Sequence, residues 1–293
     1  MSLKTTINLL KPKGLTNIFK KIFSNISLFI IFLGSTLGII NSATADDGDA
    51  IVIGTGADIT KATTDGNSNN AITTGDFDLT LDATNDLTSD VAIGIDTITA
   101  EDDTTADIFN ILFTDVALTV DETVTSRDDG LTINVGDATL ASELILSAAA
   151  TGTGANKLKI NPLENSTLTL NGTVTHSANI DGAGTLKVAG TITLDEAIGG
   201  NTDLGILDLD GSLSSTAAIK GDVLDLDGTL ATATTVEFDS TSNLNGAMTT
   251  TGAVTLTGAS TLGGDSSITT SNDIVKFGNT VNGAGINLSL IHI

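Results

Sequence analysis

Three short constellations in this chain carry residue types that could do chemistry. Gly264-Asp265-Ser266-Ser267 begins like the Gly-Asp-Ser-Gly turn that presents a serine nucleophile. The second glycine is missing, and a triad also needs a histidine and an aspartate placed to relay the proton. The chain has two histidines, His176 and His292, and neither sits in a motif. The expectation is therefore a turn between strands and no catalytic residue. Asp208, Asp210, Asp225 and Asp227 form the second group, two pairs seventeen residues apart. Stacked carboxylates repel unless a cation lies between them, and oxygen-rich clusters suit calcium. The Gly-Gly-x-Gly-x-Asp nonapeptide of calcium β-rolls is absent and no EF-hand spacing fits, so the expectation is a solvated acidic face with no metal and no cofactor. The third group is Ala43-Thr44-Ala45 before Asp46, the small residues that a signal peptidase accepts.

That last motif ends a segment unlike the rest. Met1–Asn25 holds Lys4, Lys11, Lys13, Lys20 and Lys21 and no acid, and Ile26–Ile40 is an apolar run interrupted only by Ser, Thr and Gly. The run is short for a membrane span, which needs roughly 20 residues. Residues 1–45 are predicted to be an extended signal peptide, with Ala43 and Ala45 as the small residues preceding cleavage after Ala45 and Asp46 starting the mature chain. Export to the cell surface or beyond follows. The absence of cysteine then rules out disulfides and thiolate metal sites in this fold.

The formal net charge is −24, and every one of the 36 acidic residues lies after the leader. Such a surface repels nucleic acid and anionic lipid, so neither is expected as a partner. Arg127 is the single arginine, and tyrosine and tryptophan are absent. A polysaccharide-active enzyme would want basic and aromatic residues beside its carboxylates. It stands as the weaker alternative, and no small-molecule substrate is evident.

The elements that would carry these residues repeat. Leu-Asp-Leu-Asp-Gly-Ser-Leu at 207–213 returns as Leu-Asp-Leu-Asp-Gly-Thr-Leu at 224–230. Each copy alternates apolar and polar residues with the period of a half-buried strand, and each ends on a Gly able to take positive φ. The same cue occurs at Leu168/Leu170/Gly172, Leu186/Val188/Gly190 and Val254/Leu256/Gly258, and the steps from Gly172 to Gly228 are 18, 21 and 17 residues. Further strands are predicted at Ala50–Ile53, Phe77–Leu81, Val91–Ile95, Val116–Val120, Leu131–Val135, Leu144–Leu146, Leu158–Ile160 and Leu168–Val174. Ile108–Phe113 reads as a strand buried on both faces, and Ala148–Asn156 as a protruding loop. No amphipathic helix of ten or more residues follows residue 45.

Short strands, aliphatic cores and a pattern that simply continues predict an all-β fold, a right-handed parallel β-helix (β-solenoid) with degenerate repeats of roughly 17–21 residues. Residues 46–165 form its less regular part and residues 166–293 its regular repeats, truncated at the C-terminus. Leu168/Leu170, Leu186/Val188, Leu207/Leu209 and Leu224/Leu226 should point inward and the four aspartates outward. Thr, Asn and Ser at equivalent positions should form ladders along the outside.

The residues also carry a resemblance. Asn179-Ile-Asp-Gly-Ala-Gly-Thr-Leu-Lys-Val-Ala-Gly-Thr-Ile-Thr-Leu194 and Phe277-Gly-Asn-Thr-Val-Asn-Gly-Ala-Gly285 resemble the repeats of rickettsial-type outer-membrane surface antigens, which are autotransporter passengers. The likeness covers Leu168–Leu290, and Asp46–Pro162 in composition only. It implies surface display, adhesion to a host-cell or extracellular-matrix protein or a protective coat, and a C-terminal translocator barrel. The stretch before residue 293 departs from that pattern, because it lacks amphipathic strands of about ten residues with aromatic girdles. A surface-layer-like structural protein is a further alternative.

Overall fold

The computed structural model describes residues 50–53, 59–61, 78–81, 84–89, 93–95, 97–100, 107–113, 116–126, 130–137, 139–152, 158–232, 234–271, 273–283 and 285–292. Every pair of neighbouring strands among them is parallel, and the chain is a parallel β-solenoid with no helix among the described residues. A typical coil contributes three short strands in succession, and strands pair with their equivalents one coil later, except that isolated bridges replace the ladder at Ile198 on the first face and between Ala150–Gly152 and Thr173–His176 on the third.

The first face runs from Ile59–Lys61 through Thr84–Ser89, Asp107–Phe113, Leu131–Val135 and Leu158–Pro162 to Ala178–Ile180. Single bridges Ile180↔Ile198 and Ile198↔Ile219 carry it on to Val236–Phe238, Val254–Leu256 and Val275–Phe277. The second face holds Ile93–Ile95, Ala117–Val120, Glu143–Leu146, Thr167–Leu170, Thr185–Val188, Leu204–Leu209, the end of Ile219–Leu226, Ser242–Leu244, Ser260–Leu262 and Val281–Asn282. The third begins at Ala50–Ile53 and passes through Asp78–Leu81, Thr97–Ala100, Val124–Ser126 and Ala150–Gly152. It resumes at Thr173–His176 and ends at Leu288–His292.

Period-two alternation decides which side chains meet. In Leu131–Val135 the burial alternates strictly, with Leu131, Ile133 and Val135 inside. Leu168, Leu170, Leu186, Val188, Leu207, Leu209, Leu224 and Leu226 are all buried in one continuous aliphatic core, as their spacing predicts. Ile108–Phe113 behaves differently from expectation. Asp107–Phe113 is a strand, but only Phe109, Ile111 and Phe113 face the core, while Ile108 is 36% exposed. A coil wall has one inside, so a dense apolar run still shows alternate residues to solvent.

Two further expectations are corrected. Ala150–Gly152, placed in a loop by its small residues, is a strand with Ala150 buried, because the ladder with Val124–Ser126 fixes its backbone. Leu168–Val174 is not one strand: it breaks at Asn171-Gly172, where Gly172 takes φ 79° and the chain turns from the second face to the third.

Register gives the coil length. It is 26 residues from Leu118 to Leu144 and 24 from Leu144 to Leu168. It then drops to 18, 21 and 17 at Leu186, Leu207 and Leu224. The 17–21-residue repeat therefore describes the coils after Leu168, and those immediately before are longer.

Candidate functional surface

Gly172, Gly190, Gly211, Gly228 and Gly246 occupy one corner of successive coils, between the second and third faces. A Cβ on Gly190, Gly211, Gly228 or Gly246 would overlap the carbonyl oxygen of the glycine one coil before. Those same carbonyls accept from Thr191, Ser212, Thr229 and Ala247, at 2.7, 2.8, 2.9 and 3.1 Å. Close approach, rather than positive φ, is the reason for glycine at every one of these corners except Gly172, which alone among them has φ above zero. Val254/Leu256/Gly258 does not belong to this column. Val254 and Leu256 pair with Val236 and Phe238 on the first face, so Gly258 turns a different corner.

Beside the glycine corner lies the acidic strip. Asp208 and Asp225 are direct partners in the parallel register, with Lys187 before them and Asn243 after them. Lys187 Nζ reaches both Asp208, at 2.9 Å, and Asp210, at 2.7 Å. Its hydrogen bonds to Asp210 and then Asp208 raise its pKa above the ordinary lysine value. At the other end Asn243 Nδ2 donates to Asp225 at 2.8 Å, and Asn245 Nδ2 donates to Asp227 at 3.1 Å. The four carboxylates do lie outside the core, stacked as expected, and the strip is closed by an ammonium on one side and two amides on the other. Among the described residues no group of three acidic or imidazole side chains is placed to hold a metal ion.

A shallow groove of ≈ 520 Å³ follows the same corner, lined by Asp227, Thr229, Asp265, Ser267, Asn287 and Ser289 together with backbone of the glycine column. Its carboxylate at Asp265 already accepts from Asn287 N, at 3.0 Å, and Nδ2, at 3.2 Å. Ser266, the serine of the Gly-Asp-Ser sequence, is buried, and its one hydroxyl hydrogen is shared between the carbonyls of Leu244 and Gly264, at 2.9 and 3.0 Å. A hydroxyl committed to two main-chain acceptors in a strand closes a turn. His176 lies in Thr173–His176, five strands away in the same sheet.

Sequence reasoning expected amide ladders without placing them. The structure sets one on the first face: Asn161 Nδ2 donates to Asn134 at 3.0 Å, and Asn134 Nδ2 to Asn110 at 2.8 Å. These asparagines are 24 and 27 residues apart, so only the longer coil length reveals them. One coil further, Asp181 is buried and accepts from Asn201 N and Nδ2, both at 2.9 Å. The signal-cleavage residues Ala43, Ala45 and Asp46 lie outside the described residues.

No family model, no curated protein and no solved structure matches this chain.

Proposed function

We propose that this chain is an exported, surface-displayed passenger that acts as an adhesin or a surface coat, with the solenoid as a stiff scaffold rather than an enzyme. The observation that carries this reading is the combination of a signal-type leader with a solenoid whose exterior is built from stacked Asp, Asn, Thr and Ser. Such an exterior offers extended, repetitive, strongly hydrated surface, and the groove along its glycine corner is shallow. Extended contact with a macromolecule suits that shape better than enclosure of a small substrate. A host-cell or extracellular-matrix protein is the partner implied for an adhesin, and an outer-membrane translocator barrel is the partner implied for display.

Two measurements test it. N-terminal sequencing of exported protein is expected to begin at Asp46, and a mature product retaining Ile26–Ile40 would contradict export by cleavage. Protein beginning at Asp46 is then offered to cultured cells and to immobilised matrix proteins, and followed for self-assembly. Saturable binding supports the adhesin and an ordered lattice supports the coat. Neither, together with cleavage of a polysaccharide, would replace both with the enzymatic alternative.

A further inference from the structure

Among the described residues the third face is interrupted between Ala150–Gly152 and Thr173–His176. Its hydrogen-bonded ladder stops at Ala150–Gly152 and restarts at Thr173–His176, and at that level the isolated bridge Thr151↔Ser177 joins the two sheets. Ser177 N–H donates to Ala150 O at 2.8 Å, and Gly152 N–H donates to Ser177 O at 3.2 Å. The next bond of a regular ladder is diverted. One coil earlier Val124 N–H donates to the Ala149 carbonyl at 3.0 Å. The equivalent donor, Ala150 N–H, instead gives its hydrogen to Nδ1 of His176, at 3.1 Å. The first and second faces pass this level in unbroken register. The coil also shortens here, from 24 residues to 18.

We infer that His176 is a proton-sensitive latch on the third face: its neutral imidazole stands in for a missing main-chain acceptor and closes the seam, and protonation opens it. For Nδ1 to accept, the ring hydrogen must sit on Nε2, which has no hydrogen-bond partner among the described residues. Adding a proton to Nδ1 sets two donors against each other, Nδ1–H and Ala150 N–H. The ring is 1% exposed, so an imidazolium there also loses its hydration.

The described strands packed most closely on the ring offer no compensating charge. Of the strands packed against Thr173–His176, Ala150–Gly152 and Thr191–Leu194 carry no titratable side chain. Ala178–Ile180, which follows it, carries none either, and on Leu158–Pro162 Lys159 is exposed. Asp195 is exposed and accepts from Ser177 Oγ at 3.4 Å. Burial accordingly lowers the His176 pKa from 6.5 to about 4. The unfolded or open form therefore binds the proton first, and the seam is fully closed above pH 6.5, weakens as pH falls, and reaches its weakest near pH 4.

Amide hydrogen exchange on the chain from Asp46, corrected for intrinsic rates, tests this. Between about pH 7.5 and about pH 5 the opening constant at Ala150 and Ser177 should rise about 30-fold, while amides of Leu207 and Leu224 keep their protection. His176→Asn keeps an acceptor near the Nδ1 position without a titrating group, and should remove the pH dependence. Should that variant fail to fold, an NMR titration of the wild-type His176 ring decides, with a midpoint near 4 expected. A midpoint near 6.5, an unchanged pH dependence in the variant, or loss of protection spread evenly over all coils would overturn the latch.

Discussion

At the scale of single residues, the acidic strip is a balance between like charge and its neighbours. Asp208 and Asp225 face each other one coil apart, and Lys187 bridges Asp208 and Asp210. Side chains this exposed give only surface-strength pairs, typically 0.2–1 kcal/mol. Lys187→Met should thus lower stability by about 1 kcal/mol at low salt, and by less as salt screens the aspartates. Asp225→Asn should be neutral or slightly stabilising, since Asn243 can still donate to the new side-chain oxygen. Urea midpoints at two salt concentrations check both; a salt-independent loss in Lys187→Met would mean packing, not charge, is at work. Asp210 differs from Asp225 in this respect. Its 2.7 Å bond to Lys187 makes it the less harmless choice, and that bond was illegible until register set a 21-residue coil between them.

At the scale of elements, corners carry more constraint than strands. The Leu-Asp-Leu-Asp-Gly pattern located the second-to-third-face corner in sequence, yet the reason assigned to its glycines was conformational. Only Gly172 has a positive φ, and the others are held to glycine by a carbonyl from the coil before. Gly228→Ala should therefore cost about 3 kcal/mol or more, because backbone rather than a flexible side chain must move. Gly200→Ala is the control, since its Cβ would meet side chains and no backbone, Ala197 Cβ at 3.2 Å and Asp181 Oδ1 at 3.9 Å. Thermal unfolding of the two variants distinguishes them. Equal losses would mean that glycine entropy, not close approach, governs the corner.

For the solenoid as a whole, one unbroken core from Leu87 to Ile268 couples the coils it spans to their neighbours. A solenoid of this kind has stability that is roughly a sum of nearest-neighbour terms, so damage at one coil is felt by those stacked on it. Leu209→Ala removes a fully buried side chain between two well-paired coils and should cost about 2–5 kcal/mol. Exchange protection should fall most in Thr185–Val188 and Ile219–Leu226, which flank Leu204–Leu209 in the sheet. A uniform drop across the solenoid would show instead that it unfolds as a single unit.

The sequence by itself determined the fold class, the inward leucines and the outward aspartates. All three follow from a side-chain period of two written over short range, and a strand with one buried face leaves no freedom about which residues turn in. It could also name the residue types that ladder, though not their partners. Tertiary structure alone decided what depends on the offset between coils. That offset places Lys187 over Asp208, aligns Asn110, Asn134 and Asn161, and assigns Val254–Leu256 to the first face rather than the second. It also sets His176 against Ala150, 26 residues away in a chain whose visible repeat was 17–21. Coil length varies through corner insertions that leave no periodic trace, and hydrogen bonds between coils are long-range in sequence. Local pattern cannot encode them, and only the closed register can.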